Sequence, residues 1–397
     1  MPLIFECLKW SQVLIVLMKY KNNFPVLGYG AMRLPDNFAE AEELVLRAIE
    51  KGVDYFDVAY IYRGKETLLG KIVSKNNLRS KIKIATKLPQ FLCRSSVDFS
   101  SFFSKQLTRL QTDYIDYYML HMLNNPAELS DLFAIGLGEW IAQKKMSGEI
   151  RQLGFSFHGN TSHFTQLIDA YEWDFCMIQY NYLDTNNQAG TAGLRYAHSK
   201  GIPVIIMEPL RGGLLANPKR IPPKAAKLFS EFSVVPPVEW ALRWLWNHEE
   251  VSCVLSGMQS FTELDGNIAI ADSSYPGCLT AEESELIEQV TAIFRESIAF
   301  PCTGCNYCMP CPVGVNIPGC FTAYNDKSRN SYIKNTGALV SAKGVASGCV
   351  KCGKCEPRCP QSIAIQESLE IVCKKMEPLW FRAAAPIVRK FMKKKTP

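Results

Sequence analysis

Two runs of cysteine near the end of this 397-residue chain constrain it more than any other feature. They are Cys302-x2-Cys305-x2-Cys308-x2-Cys311-Pro312 and Cys349-x2-Cys352-x2-Cys355-x3-Cys359-Pro360. Of 15 cysteines, ten lie at or beyond Cys302, so they belong to one local unit rather than to a framework for the whole chain. Cysteine this dense means disulfides or metal. Disulfides call for an exported protein, yet MPLIFECLKWSQVLIVLMKYK has Lys9 as its only cation before Lys19 and lacks a small-residue cleavage site. That is a poor secretory signal, and it is too short to span a bilayer. A reducing, cytoplasmic setting is therefore expected, and metal is favoured over disulfides. Residues 1–18 read as a lead, disordered or a start-site error with Met18 as the true start.

The second run matches the bacterial ferredoxin pattern C-x2-C-x2-C-x3-C-P. Three thiolates stepped at three-residue intervals on a curling loop can each reach a different corner of a cubane. The fourth, set apart by proline, points away and serves the other cluster. Two 4Fe-4S clusters are expected, one on Cys302, Cys305, Cys308 and Cys359, the other on Cys349, Cys352, Cys355 and Cys311. The first run is one residue short before Cys311, which leaves Cys320 as a substitute ligand; the plainer reading of Cys320 and Cys373 is free thiol. A pair of four-cysteine zinc sites is the alternative, but zinc motifs bring together two separated C-x2-C pairs.

Charge is as unevenly spread as cysteine. The formal net charge is +6, but the tail from Lys374 onward holds the excess and the body is close to neutral. A nucleic-acid-binding surface would be basic elsewhere too, so no nucleic-acid partner is expected. With 47% hydrophobic and 21% charged residues the composition is that of a globular protein, not a disordered or multi-span membrane chain. In the tail, MEPLWFRAAAPIVRKFMKKK puts Trp380, Ala384, Ile387 and Phe391 on one helical stripe, opposite Arg382, Arg389 and Lys393. Such a helix suits a membrane surface or an acidic redox partner; the plainer expectation is that its stripe packs on the iron–sulfur domain, and Pro386 should kink it.

Between residues 24 and 270, short apolar runs alternate with segments of helical periodicity such as AEAEELVLRAIEKG, FSSFFSKQLTRL and DLFAIGLGEWIAQKK. The expected strands are Pro25–Gly28, Tyr55–Asp57, Ile82–Thr86, Ile115–Leu120, Gln152–Phe155, Phe175–Gln179, Pro203–Met207 and Ser252–Leu255. Eight strand–helix units over such a length predict an α/β fold, a (β/α)8 TIM barrel followed by a small ferredoxin-like domain. A doubly wound open sheet is disfavoured because no strand leads into a G-x-G-x-x-G helix start. The expected divisions are a lead (1–18), the barrel (19–275), a connecting helix (276–300) with Thr280 as N-cap, the cluster domain (301–370) and the tail (371–397).

Functional groups of such a barrel sit where its strands end. Those ends carry Asp57, Lys87 and His121, with Tyr62 in the loop beyond Asp57. With the motifs FDVAYIY, IATK and YMLHM, the chain resembles the aldo/keto reductases over roughly residues 19–270. Together with CTGCNYCMPCPVGVNIP it looks like the subfamily with a C-terminal iron–sulfur domain. The resemblance implies an oxidoreductase that reduces an aldehyde or ketone, or oxidises the matching alcohol, with NAD or NADP. A phenol near pKa 10 releases its proton reluctantly at neutral pH, and a nearby ammonium stabilises the phenolate. Tyr62 is thus the expected proton donor, Lys87 tunes it, Asp57 holds Lys87, and His121 orients the carbonyl. The resemblance also places Ser156 and Gln179 at the nicotinamide carboxamide. It sets Met207, Leu210, Gly212 and Gly213 of MEPLRGG beside the ring and pyrophosphate, and the stretch from Gly257 to Asn267 around the adenosine. Gly257 and Glu263 stand where many NADP-using relatives have cations, and Glu208 replaces a small polar residue. His158 reads either as a packed histidine or as a second polar group at the mouth.

A hydride carries two electrons and a cluster exchanges one, so a flavin is the customary splitter. No flavin-specific motif is visible in the chain. An undetected flavin, a partner flavoprotein or ferredoxin, clusters acting only as structural staples, or a substrate reduced by single electrons are the remaining expectations. A redox sensor and a plain electron carrier whose barrel docks a partner are the rival functions.

Overall fold

Each apolar run between Leu27 and Ser256 is short enough to cross a barrel once, and each pairs in parallel with the next. The computed structural model describes the backbone of residues 20–393 and the side chains of residues 20–386. Its eight barrel strands are β1 (Leu27–Gly30), β2 (Tyr55–Asp57), β3 (Lys83–Leu88), β4 (Ile115–Leu120), β5 (Ile150–Phe157), β6 (Phe175–Gln179), β7 (Val204–Met207) and β8 (Val251–Ser256). They close into a ring in sequence order, with β8 pairing back onto β1. The eight expected strands all form, with ends shifted by up to two residues. The N-terminal one shifts because Phe24–Pro25 pairs antiparallel with Tyr20–Lys21 instead. The expected lead, residues 1–18, lies outside the described residues.

Alternation along the strands sorts the side chains. Tyr55, Ala85, Tyr117, Met119, Phe175, Met177, Ile205, Cys253 and Leu255 form one buried cluster, plugged by Phe24. The groups two residues on from this cluster (Asp57, Lys87, His121, Gln179, Met207) stand at the C-terminal ends of their strands. The other faces of the strands join the helices in a larger core that includes Phe56, Ile84, Tyr118, Phe155 and Ile206. Gly154 has no side chain for a steric reason: a Cβ there would lie 2.5 Å from the Phe175 carbonyl oxygen and 2.8 Å from its ring.

The stretch DLFAIGLGEWIAQKK is not one helix. Helices Pro126–Ala134 and Leu137–Met146 meet at Gly136, whose φ of +92° breaks the repeat. Thr280 does cap the helix Ala281–Ser297, accepting from the Glu283 amide at 3.2 Å.

The chain forms two compact units, one of residues 20–210 and 235–287, the other of residues 211–234 and 288 onward. The second is built on Val315, Ile317, Phe321, Tyr332, Leu369 and Val372. Buried Glu377 ties it together, accepting from Tyr332 OH at 2.6 Å and from the Ser347 amide at 2.9 Å. Helix Leu379–Lys393 runs through Pro386, but its buried stripe is not the expected one. Phe381 and Ala385 are buried while Trp380 and Ala384 are exposed. The helix is rotated by one residue because Phe381 and Ala385 join this unit's core, leaving Trp380 against Arg329. Ile387, Arg389, Phe391 and Lys393 have side chains outside the described residues. Among the described residues, no helix is long and apolar enough to cross a membrane.

Candidate functional site

β2 ends at Asp57, and the ladder is continued by the Val58 amide on the Ala85 carbonyl, which brings Asp57 beside Lys87 on β3. The Lys87 Nζ lies 2.6 Å from Asp57 Oδ1 and donates to the Val58 carbonyl at 2.8 Å. Tyr62 sits in the turn before helix Lys65–Lys75, its ring centroid 5.2 Å from Lys87 Nζ. The His121 amide bonds the Leu88 carbonyl just beyond β4, and its ring stands perpendicular to that of Tyr62 at 6.2 Å. The structure therefore brings the four expected groups together, three buried and Tyr62 half-buried.

Burial governs the electrostatics. It lowers Lys87 below the ordinary ammonium range, against the pull of Asp57. It holds His121 well below the usual histidine range, and Lys87 and His158 add to the effect. His158 is pushed down to about 4, first by burial and then by Lys87, while a hydrogen bond with Gln188 opposes the shift. Both imidazoles are neutral at pH 7. His158 is buried, as a packed histidine would be, just beyond the C-terminal end of β5.

Two polar networks back these groups, and neither was foreseen. From Gln188, Nε2 donates to Gln179 Oε1 at 2.5 Å; Gln179 Nε2 and Asn181 Nδ2 donate to Asp184 Oδ2 at 2.8 and 3.1 Å. Behind Lys87, buried Glu66 accepts from Thr86, Gln106 and Arg109 at 2.7, 2.8 and 3.0 Å. Gln106 also donates to the Lys87 carbonyl at 3.1 Å. The one local signal was the polar run YNYLDTNNQ after β6; Glu66 meets partners 20 to 43 residues away and had none.

The expected cofactor residues divide. Ser156 accepts from the Met122 amide at 2.9 Å, which leaves its own O–H to donate. Gln179 is engaged at both ends of its amide, and Met207 ends β7 half-buried. A Cβ on Gly257 would lie 3.4 Å from the Gly30 carbonyl oxygen, so the two strand-end loops run close. Asn267 is buried and donates to Ser256 Oγ at 2.9 Å, a packing contact. Leu210 packs against the outer core, and the chain then coils left-handed through Arg211, Gly212 and Gly213 (φ +48°, +65° and +85°). Gly212 and Gly213 belong to the second unit. Glu263 is engaged in capping, accepting from the Gln259 amide at 2.7 Å.

In the second unit the cysteines line two cavities. Cys302, Cys305, Cys308 and Cys359 line a narrow one of about 20 Å³ together with Ile317, Phe321, Ile363 and Ile365. Cys311, Cys349, Cys352 and Cys355 line another of about 200 Å³, which Cys308 also touches. The two loops curl alike: Gly304 and Asn306 flank Cys305 at φ +71° and +65°, and Lys351 and Gly353 flank Cys352 at φ +55° and +73°. Left-handed residues in such loops turn amide groups inward, a concavity suited to an anionic cluster. Burial and the neighbouring Cys305, Cys302 and Cys359 push the Cys308 thiol up to about 12. The donor set fits iron–sulfur clusters. Among the described residues, no three His, Cys, Asp or Glu side chains converge on a single-ion site. Cys320 lines neither cavity; it is buried in the core with Sγ 3.8 Å from the Gly344 carbonyl, so Cys311 needs no substitute there.

A closed parallel barrel with acid, amine, phenol and imidazole at one mouth, followed by a cysteine-lined unit, defines a TIM-barrel oxidoreductase with an iron–sulfur module. Residues 26–290 match the aldo/keto reductase family model and residues 301–364 match the 4Fe-4S dicluster domain. The chain belongs to the aldo/keto reductase family. It is 28% identical over 282 residues to an aldo-keto reductase of Mycolicibacterium vanbaalenii, covering 69% of this chain and 90% of that one. It is 28% identical over 304 residues to L-galactose dehydrogenase of Arabidopsis thaliana, with the same shares covered. Among solved structures, the holo form of an aldo-keto reductase from Bacillus halodurans aligns with a TM-score of 0.56 at 26% identity, covering 67% of this chain and 92% of that one.

Proposed function

We propose that the barrel reduces an aldehyde or ketone, or oxidises the matching alcohol, with a nicotinamide cofactor, and that two 4Fe-4S clusters link the chain to one-electron transfer. The observation that carries the reading is the buried Lys87–Asp57 pair beside Tyr62 and His121. Burying an ion pair costs several kcal/mol per charge before its attraction is recovered, so a pair at a strand-end mouth asks for a use. A nicotinamide, when bound at the mouth, would supply or accept the hydride. Ser156, Gln179 and the Gly257 loop are the residues that would hold it, and Met207 and Leu210 complete the proposed set. Neither Gly257 nor capped Glu263 answers a 2′-phosphate with positive charge, which favours NAD over NADP.

In reduction, Tyr62 passes its phenolic proton to the substrate oxygen, and the Lys87 ammonium stabilises the phenolate left behind. Asp57 fixes the ammonium in place. His121, neutral at working pH, orients the carbonyl by hydrogen bonding. In alcohol oxidation the proton runs back to Tyr62. The domain divisions expected from sequence, the two-cluster count and a redox partner such as a flavoprotein or ferredoxin belong to the same proposal.

The test is anaerobic turnover of a carbonyl and alcohol panel with NAD(H) and NADP(H). Tyr62→Phe should lose roughly 10²- to 10⁴-fold in kcat with dinucleotide affinity unchanged. No turnover across the panel and no dinucleotide binding by titration would overturn the reading in favour of a redox sensor.

A further inference from the structure

The two cysteine-lined cavities differ in ways that the near-symmetry of their loops conceals. The lining of the Cys302, Cys305, Cys308 and Cys359 cavity includes no charged side chain, and Ile317, Phe321, Ile363 and Ile365 stand in it. The lining of the other includes Lys354 and Arg358 and no carboxylate. Its loop is also the open one: Val350 is 62% exposed, and Lys351, Cys352 and Lys354 are exposed with it. Of the carboxylates nearby, Glu370 pairs with Lys351, and Glu356 accepts from the Gln366 amide and side chain, both at 2.9 Å. Glu367 is exposed on the helix Ile365–Met376.

We infer that the surface formed by residues 349–358 is the electron-exchange port of this protein and that it docks a small acidic one-electron carrier protein. The inference rests on the reading of the cysteines as cluster ligands. Electron tunnelling falls steeply with distance, so the cluster reached through exposed Cys352 is the one that a partner can approach. Val350 offers a small apolar centre from which water can be excluded, and Lys354 and Arg358 place positive charge beside it, while Glu370 answers Lys351. That is the form of a weak redox encounter, with a small footprint and electrostatic steering. One electron passes from the carrier's centre to the cluster, which gains one negative charge; the carrier is oxidised by one electron, and no bond or proton is exchanged. The cationic lining favours the reduced cluster.

The experiment uses the full chain with its clusters and an acidic flavodoxin in its hydroquinone state, which becomes the semiquinone on giving up one electron. Cluster bleaching is followed by anaerobic stopped flow at low and high salt, with a neutral photoreductant as reference. The flavodoxin rate, divided by the reference rate, should fall about tenfold or more in Lys354→Glu/Arg358→Glu and on adding salt, whereas Lys354→Arg should retain it. Equal ratios in the wild type and the charge-reversed protein, or no flavodoxin oxidation by the wild type, would overturn the port. Iron content and visible absorbance are measured first. A chain that assembles no cluster refutes the underlying reading instead, so the two failures are distinct.

Discussion

Lys87 is the residue on which the barrel site depends, because a buried ammonium is tolerated only while its charge is answered. Asp57 Oδ1 at 2.6 Å and the Val58 carbonyl at 2.8 Å do that. Asp57→Asn should therefore cost more than a lost hydrogen bond. Leaving Lys87 without a counter-charge should destabilise the barrel by about 3–5 kcal/mol in chemical denaturation. An unchanged midpoint would mean that water or another carboxylate reaches Lys87. His158 supplies a pH signature. Held at about 4 against an ordinary 6.5, it binds fewer protons folded than unfolded. Stability should thus be level above the unfolded value and fall as pH drops from about 6.5 towards 4. Denaturation midpoints between pH 7 and 5 should fall less steeply in His158→Gln than in the wild type; identical slopes would place the acid-sensitive group elsewhere.

At the level of elements, the strands were legible because alternation and length agree. Tyr55 and Asp57, Ala85 and Lys87, Tyr117, Met119 and His121, and Phe175, Met177 and Gln179 repeat at period two, so a strand end identifies both its interior filler and its mouth residue. Helices were less legible at their joints. The Gly136 break lies inside an unbroken apolar pattern, and periodicity has no means to register one left-handed residue. Gly154 is a packing requirement of the same kind: Gly154→Ala should cost roughly 1–3 kcal/mol, because β5 and β6 would have to part to admit a methyl group against Phe175. Urea titration checks it, and a stability equal to wild type would show that Phe175 yields easily.

Taken as a whole, the molecule divides its stability between a large apolar barrel core and a small second unit. The core of the second unit is completed by half-buried Cys302, Cys308, Cys311, Cys349, Cys355 and Cys359. Anaerobically assembled protein should hold about eight irons per chain and no stoichiometric zinc. Iron removal should then raise amide hydrogen exchange through residues 301–364 while strands β1–β8 stay protected, since metal binding there is folding free energy. Zinc at two per chain would remove the cluster model, and unchanged exchange would show that the apolar core suffices.

Sequence by itself determined whatever local spacing encodes. The eight strands, the two cysteine runs and the strand-end positions of Asp57, Lys87 and His121 follow from periods of two and three residues and from turn chemistry. Tertiary structure alone decided the rest. Glu66 finds Thr86, Gln106 and Arg109 only once two barrel layers meet. His158 and His121 share one end of the barrel only because they follow the adjacent strands β5 and β4. The tail helix turns Phe381 rather than Trp380 inward because the second unit's core selects among faces of similar apolarity. Pairings between distant residues carry no period along the chain, so they appear only when the fold brings them within hydrogen-bond or van der Waals range.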